Sequence, residues 1–316
     1  MRFFITGATG YVGGVLTEKA IAQGHTVHGL SRNEEGDAKL KALGATPVRG
    51  DLSSLEVLRH QASEADAVCH LAYIHDFTRN YEEILAVDAA VVDALAEPLR
   101  GTNKPLVTTS GTLVVEPDPE GGETVEDSPP LKNPVVDRLR SEKHALSKAK
   151  EGVRVSAIRL TGYVHGRGAS GFVPMLMDYA AKSGESVYID DGATQTSGVH
   201  VDDAAGMYLL AVEKSRPGDV WNCCEDESVS IKALAESVGE VMSVPTRSIT
   251  REEATKRGGP ILPLILTLVN RPSNQKAKKE LGWEPKHQDI LEDVRAGSYS
   301  DLAKKLLKGE AEVKHF

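Results

Sequence analysis

The stretch TGATGYVGG at residues 6–14 follows directly on the apolar run Phe3-Phe4-Ile5 and sets glycines at positions 7, 10 and 13. A strand, a glycine turn and a helix in that order make an anion site, because the first turn of a helix carries unpaired N–H groups and a partial positive charge. Gly7 permits the tight turn, Gly10 lets the backbone approach a pyrophosphate, and Gly13 lets the helix lie close to the strand. With Thr9, Tyr11 and Val12 between and beyond them, these residues are expected to hold a dinucleotide.

The second strand of such a unit sets which dinucleotide is preferred. An acidic residue at its end would bond a free ribose 2′-hydroxyl, but the chain has Leu30-Ser31-Arg32-Asn33. Ser31 and Arg32 suit a 2′-phosphate, so NADP(H) is expected over NAD(H). A solvated surface arginine is the bland alternative, and Glu34 and Glu35 follow closely.

Around this unit, RFFIT, HTVHGL, TPVRG, AVCHL, PLVTT and VRVSAIRL alternate with helical patterns, the form of a parallel sheet covered by helices. A helix is expected from about Tyr11 to Gln23, stopped by Gly24, and a longer one over 80–99. The broad apolar face of the longer helix, Ile84, Val87, Val91, Val92 and Leu95, implies packing on the sheet or a homodimer interface. Past residue 160 the alternation weakens. This gives a division into a dinucleotide-binding part, residues 1–165 with about 198–225 returning to it, and a substrate lobe over 166–316. From about Asp301 a terminal helix fraying into solvent is expected.

The chain has 316 residues, 40% hydrophobic and 26% charged, as in ordinary soluble globular proteins. A net charge of −9 argues against a nucleic-acid surface. The three cysteines form no disulfide or metal pattern, and no metal is expected. The first strand leaves no room for a leader peptide, and PILPLILTLV at 260–269 is too short and proline-broken to span a bilayer. A cytoplasmic protein with a small-molecule substrate is expected.

TGATGYVG, then GDL at 50–52, HLAY at 70–73, TTSGT at 108–112, HVDDAA at 200–205 and LGWEP at 281–285 resemble, in order and spacing, an extended short-chain dehydrogenase/reductase of the NAD-dependent epimerase/dehydratase group. The resemblance covers nearly the whole chain. It implies an α/β Rossmann-type, doubly wound parallel sheet with a smaller C-terminal substrate lobe. It also implies that Asp51 and Leu52 border the adenine, while Leu71, Ala72 and Tyr73 lie along the adenosine and pyrophosphate.

In that superfamily a Ser or Thr after the fifth strand, and a Tyr four residues before a Lys, handle the proton while the nicotinamide handles the hydride. Ser110 matches the first position. DRLRSEKHAL at 137–146 puts Arg138 where the tyrosine would stand and Glu142 where the lysine would stand. Sliding by one residue pairs Leu139 with Lys143 and still supplies no phenol. The chain therefore resembles a subgroup that lacks the usual active residues. Substitutes at the sheet's carboxyl edge are His75, Asp76, Tyr163 and His165, each as well explained by loop bonding or packing. Arg138 and Glu142, one turn apart, could equally form a surface ion pair. His200 and Asp202 are expected to anchor a helix start. Thr196 stands where nucleotide-sugar enzymes of the family carry an arginine, which points to a smaller or more apolar substrate, with Ile261 to Val269 as part of a lid.

Three readings compete: an oxidoreductase for a small organic carbonyl, alcohol or activated double bond; an epimerase or isomerase using bound cofactor transiently; and a non-catalytic NADP(H)-binding sensor.

Overall fold

The computed structural model describes residues 1–76, 79–134, 136–168 and 171–313. Six strands alternate with helices through the first half: β1 (Arg2–Thr6), β2 (Thr26–Ser31), β3 (Thr46–Arg49), β4 (Ala67–His70), β5 (Pro105–Gly111) and β6 (Arg154–Leu160). Later come the short strands β7 (Tyr163–His165), β8 (Ser186–Ile189), β9 (Gln195–Thr196) and β10 (Gly198–His200), then β11 (Asp219–Cys223), β12 (Val229–Ser230) and β13 (Thr246–Ile249). The central sheet has seven strands in the order β11-β6-β5-β4-β1-β2-β3, all parallel. Its strands read as apolar runs because both faces are covered. The order reverses between β1 and β4, and there a crevice opens outside the strand ends.

The helices on the sheet are α1 (Tyr11–Ala22), α2 (Glu34–Ala42), α3 (Leu55–Glu64), α4 (Tyr81–Ala96), α5 (Arg138–Ser147) and, after α6 (Phe172–Ser183), α7 (Val201–Lys214). One face of the sheet packs Phe3, Ile5 and Cys69 against Leu16 of α1 and Met207 and Tyr208 of α7. On the other, Phe4, Val68 and Leu106 meet Leu58 of α3 and Val91, Val92 and Leu95 of α4. The apolar face of α4 is thus spent on the sheet.

A separate core joins α6 and β8 to α8 (Ile231–Met242), α9 (Arg251–Gly258), α10 (Ile261–Ile265), α11 (Ile290–Ala296) and α12 (Ser300–Leu307). The expected terminal helix is present as α12, but its fraying into solvent is corrected: Ala303 and Leu306, on one helical face, are buried in this core. All three cysteines are buried and free. Among the described residues no helix is long and apolar enough to cross a membrane.

A close backbone approach occurs at the first βα turn. A Cβ added at Gly13 would fall well inside van der Waals distance of the Gly7 carbonyl oxygen, which is backbone and cannot swing away. Gly13→Ala is therefore expected to cost about 1–3 kcal/mol through overpacking, read as a lowered urea midpoint with unchanged slope. A midpoint equal to wild type would mean that α1 does not press on the turn.

Candidate active site

Helix α1 starts at Gly10 with no side-chain cap and with no acidic residue in its first turn. Side chains of Asn33, Asn80 and Ser230 cap α2, α4 and α8, whereas α3, α5 and α6 are uncapped like α1; what distinguishes α1 is the glycine turn before it. The N–H end of α1 is left for an anion from outside the chain. Gly7 has φ +75°, and a Cβ there would lie 2.8 Å from the Ala72 nitrogen. The β4 edge reaches the turn through Leu71 N to Thr6 O (3.1 Å) and Ala72 N to Thr6 Oγ1 (3.3 Å). Leu71, Ala72 and Tyr73 are thereby brought beside the glycines at the switch point. An open helix end with glycine-only clearance fits a diphosphate.

At the end of β2 the arrangement differs from the expectation for Ser31. Its side chain is buried, and Oγ donates to the Asn33 carbonyl at 3.0 Å. Arg32 is exposed. Arg49, paired in register with Ser31 across β2 and β3, adds a second cation that bonds the Arg32 carbonyl and pairs with Asp37. Arg49 was missed in the sequence; the signal was its place at a neighbouring strand's end. Asp51 accepts from Ser53 N (2.9 Å), Ser53 Oγ (2.6 Å) and Ser54 Oγ (3.0 Å), donors that hold its carboxyl below the ordinary range. Leu52 is half-buried against the α3–α4 side core.

The β5–α5 corner brings Arg138 and Ser110 to one strand end. Arg138 Nη2 donates to the Thr109 carbonyl at 2.6 Å, and its guanidinium carbon lies 3.5 Å from the Tyr73 ring centroid. Tyr73 donates its hydroxyl proton to Tyr81 Oη at 3.2 Å, and its ring meets His75 edge-on. Burial, aided by Arg138, pushes the His75 pKa down. Tyr81, at the start of α4, is the phenol the sequence reading overlooked, although Asn80-Tyr81 at a helix start after HLAY marks the same edge. Below lies buried Asp88, within 3.5 Å of His70 Nε2; burial opposes its ionisation, but His70, Arg138 and Ser141 outweigh it and lower its pKa.

Two other candidates lie elsewhere. Glu142 points into the interior and forms a two-pronged pair with Arg159 of β6, at 2.7 and 2.8 Å, so it makes no ion pair with Arg138 and stands away from solvent. Tyr163 is fully buried, donates to the Ile265 carbonyl at 2.8 Å and packs on Phe172; burial raises its pKa. A phenol already spent on a carbonyl in the core is no proton donor to a crevice.

Residues 3–224 match the NAD dependent epimerase/dehydratase family. The chain belongs to this family. A Schizosaccharomyces pombe protein described as uncharacterized is 38% identical over 95% of this chain and 100% of its own length. A ketoreductase of a farnesylated dihydroquinoline oxide from Stigmatella aurantiaca is 26% identical, covering 93% of this chain and 96% of the relative. Among solved structures, UDP-glucose 4-epimerase of Thermotoga maritima with UDP-glucose has a TM-score of 0.76 at 20% identity, covering 97% of this chain and 100% of that one. This last likeness is one of fold.

A second polar cluster is built around His165, which is fully buried. His165 is held between Asp293 (2.8 Å) and Glu225 (2.5 Å). Burial opposes its charge, but the bonds to Asp293 and Glu225 outweigh it and push its pKa up to about 9. His200 caps α7, accepting from Asp202 N, and stacks on His287 with ring centroids 4.4 Å apart; burial and the cationic His165 push its pKa down to about 4. His200, Asp202 and His287 converge closely enough to suggest a metal. Parallel stacked rings, however, direct their lone pairs along separate planes, and Asp202 is already taken by Arg167 and Lys19.

Two measurements follow from these ion pairs. Glu142→Ala should cost about 3–5 kcal/mol in chemical denaturation by stranding Arg159, with cofactor affinity unchanged; lost activity at wild-type stability would instead place Glu142 in the chemistry. For His165, whose folded pKa stands above its unfolded value near 6.5, the stabilisation is complete below pH 6.5 and disappears as pH rises through about 9. Wild type should lose stability across that window relative to His165→Phe, and parallel pH profiles would show that the imidazole is not charged.

Proposed function

We propose that the chain is an NADP(H)-dependent oxidoreductase acting on a small, apolar organic carbonyl, alcohol or activated double bond. The observation that carries this reading is the uncapped α1 N-terminus behind Gly7 and Gly13, open to a diphosphate at the topological switch point. Thr9, Gly10, Tyr11 and Val12 complete that cradle, with Leu71 and Ala72 along the adenosine and pyrophosphate, the Tyr73 ring turned instead to Arg138 at the β5 end, and Asp51 and Leu52 at the adenine. The cations Arg32 and Arg49 at the ends of β2 and β3 favour a 2′-phosphate, and Ser31 shapes the turn that presents Arg32. Asp37 opposes this preference but is itself paired with Arg49.

When bound, the nicotinamide cofactor supplies a hydride or accepts one. The chain's own residues orient the substrate oxygen, chiefly through Ser110. Around Gly162 stand Phe172, Leu113 and Leu268, which a Cβ at that glycine would meet at 3.6, 3.7 and 3.9 Å. This apolar wall beside the β6 end keeps water from the reacting centre and suits an apolar substrate. Thr196, buried in β9, offers no cation to a nucleotide-sugar phosphate.

Fluorescence titration should give tighter binding for NADPH than for NADH, and Arg32→Ala should weaken NADPH about tenfold while leaving NADH unchanged; equal affinities in the wild type would remove the 2′-phosphate assignment. Across a panel of apolar ketones and enones, NADPH consumption is expected, with Ser110→Ala slower on the order of a hundredfold. Binding of NADPH with no consumption by any compound would favour the sensor reading.

A further inference from the structure

The proposed chemistry raises an electrostatic problem: an oxygen receiving negative charge at this strand end meets no phenol from α5. It meets a cation. Arg138 reaches the β5 end with Nη2 fixed on the Thr109 carbonyl, while Nη1 is buried and has no hydrogen-bond partner among the described residues. One residue along, Ser110 Oγ is likewise buried and without such a partner, and Ser110 as a whole is 6% exposed. Two orphaned donors at adjacent positions are costly, since a buried donor left unpaired forfeits the bonds it made in water. The Tyr73 ring supports the face of the guanidinium, and such stacking leaves the in-plane N–H groups free.

Resting on the oxidoreductase reading, we infer that Arg138 and Ser110 form a subsite for an oxyanion: the enolate- or alkoxide-like oxygen of a conjugated, largely apolar substrate. A guanidinium does not serve as a proton donor, so this subsite holds the negative oxygen in place while the hydride comes from the proposed NADPH and the proton that completes the reduction comes from water. Tyr73 and Tyr81 close the side facing α4. Asp88 sets the limit on how strongly an anion is held, being the buried carboxylate in electrostatic reach of Arg138. Its partial commitment to His70, 3.5 Å away, leaves the guanidinium's outer edge as a donor. The favoured substrate class is accordingly one whose reduction puts charge on a delocalised oxygen, an enone or a 1,3-dicarbonyl compound, in preference to a simple saturated ketone.

The test uses 4-nitrophenol, whose yellow anion is a planar enolate mimic, and 4-nitroanisole as its uncharged counterpart, each titrated at one neutral pH into full-length protein with and without NADPH. The anion is expected to bind about tenfold or more tighter than 4-nitroanisole. Arg138→Met should abolish that preference, Arg138→Lys should retain part of it, and Ser110→Ala should weaken it several-fold. NADPH affinity, measured in parallel by fluorescence, should hold in all three variants. Equal binding of the two probes to wild type, or a preference that survives Arg138→Met, would overturn the subsite. If Arg138→Met does not fold, a preference undiminished in both Arg138→Lys and Ser110→Ala overturns it equally. Failure of NADPH to bind wild type would strike the oxidoreductase reading instead, whatever the probes do.

Discussion

The contact between the Gly7 carbonyl and the bare Cα of Gly13 is the constraint on which the rest of the structure depends. It seats α1 against the β1 end so closely that no side chain intervenes. From that seating come both the aim of the helix's free N–H groups and the position of α7, which packs on α1 and buries Met207 and Tyr208 in the same core as Leu16. Everything that lines the crevice afterwards, from Leu71 to Ser110, is measured from this turn.

A second organising idea is the inversion of charge along β5 and α5. Where the superfamily pattern would set a phenol and an ammonium, the chain has a guanidinium turned toward the crevice and a carboxylate turned away from it. The carboxylate does not stand alone; β6 supplies Arg159 to neutralise it, at the cost of burying two ions whose desolvation offsets much of their attraction. Such a pair holds α5 in a fixed rotation on the sheet. That rotation delivers Arg138 to the Thr109 carbonyl.

How much of this could be read from the residues depends on how local each cause is. The six leading strands and α1 were legible because apolar runs, the glycine spacing and Gly24 act over a few positions. The strand β11 was legible as a strand, and its pairing with β6 is a contact across 63 or so residues that no local pattern encodes. In the site, the glycine turn and Ser110 were placed by motif. Arg138 and Glu142 were singled out as the residues standing in the phenol and ammonium positions, but a surface ion pair between them looked as natural as the opposed orientations they adopt. Nothing near Glu142 in sequence announces Arg159. Arg49 and Tyr81 escaped notice because their significance lies in register and in a helix start, and Tyr163 misled because a phenol after a strand looks the same whether it points to the crevice or to the Ile265 carbonyl.

One linkage reaches from the chain's opening to its final helices. The Tyr11 hydroxyl donates to the Gly166 carbonyl at 2.6 Å, and Gly166 N in turn donates to the hydroxyl of Tyr299 at 3.2 Å. Two aromatic side chains from opposite ends of the chain thus hold the carbonyl and the amide of one residue, like a brace nailed at both ends. The glycine turn and the final helices therefore share one residue as their anchor, and a disturbance at either end of the chain reaches the other through Gly166.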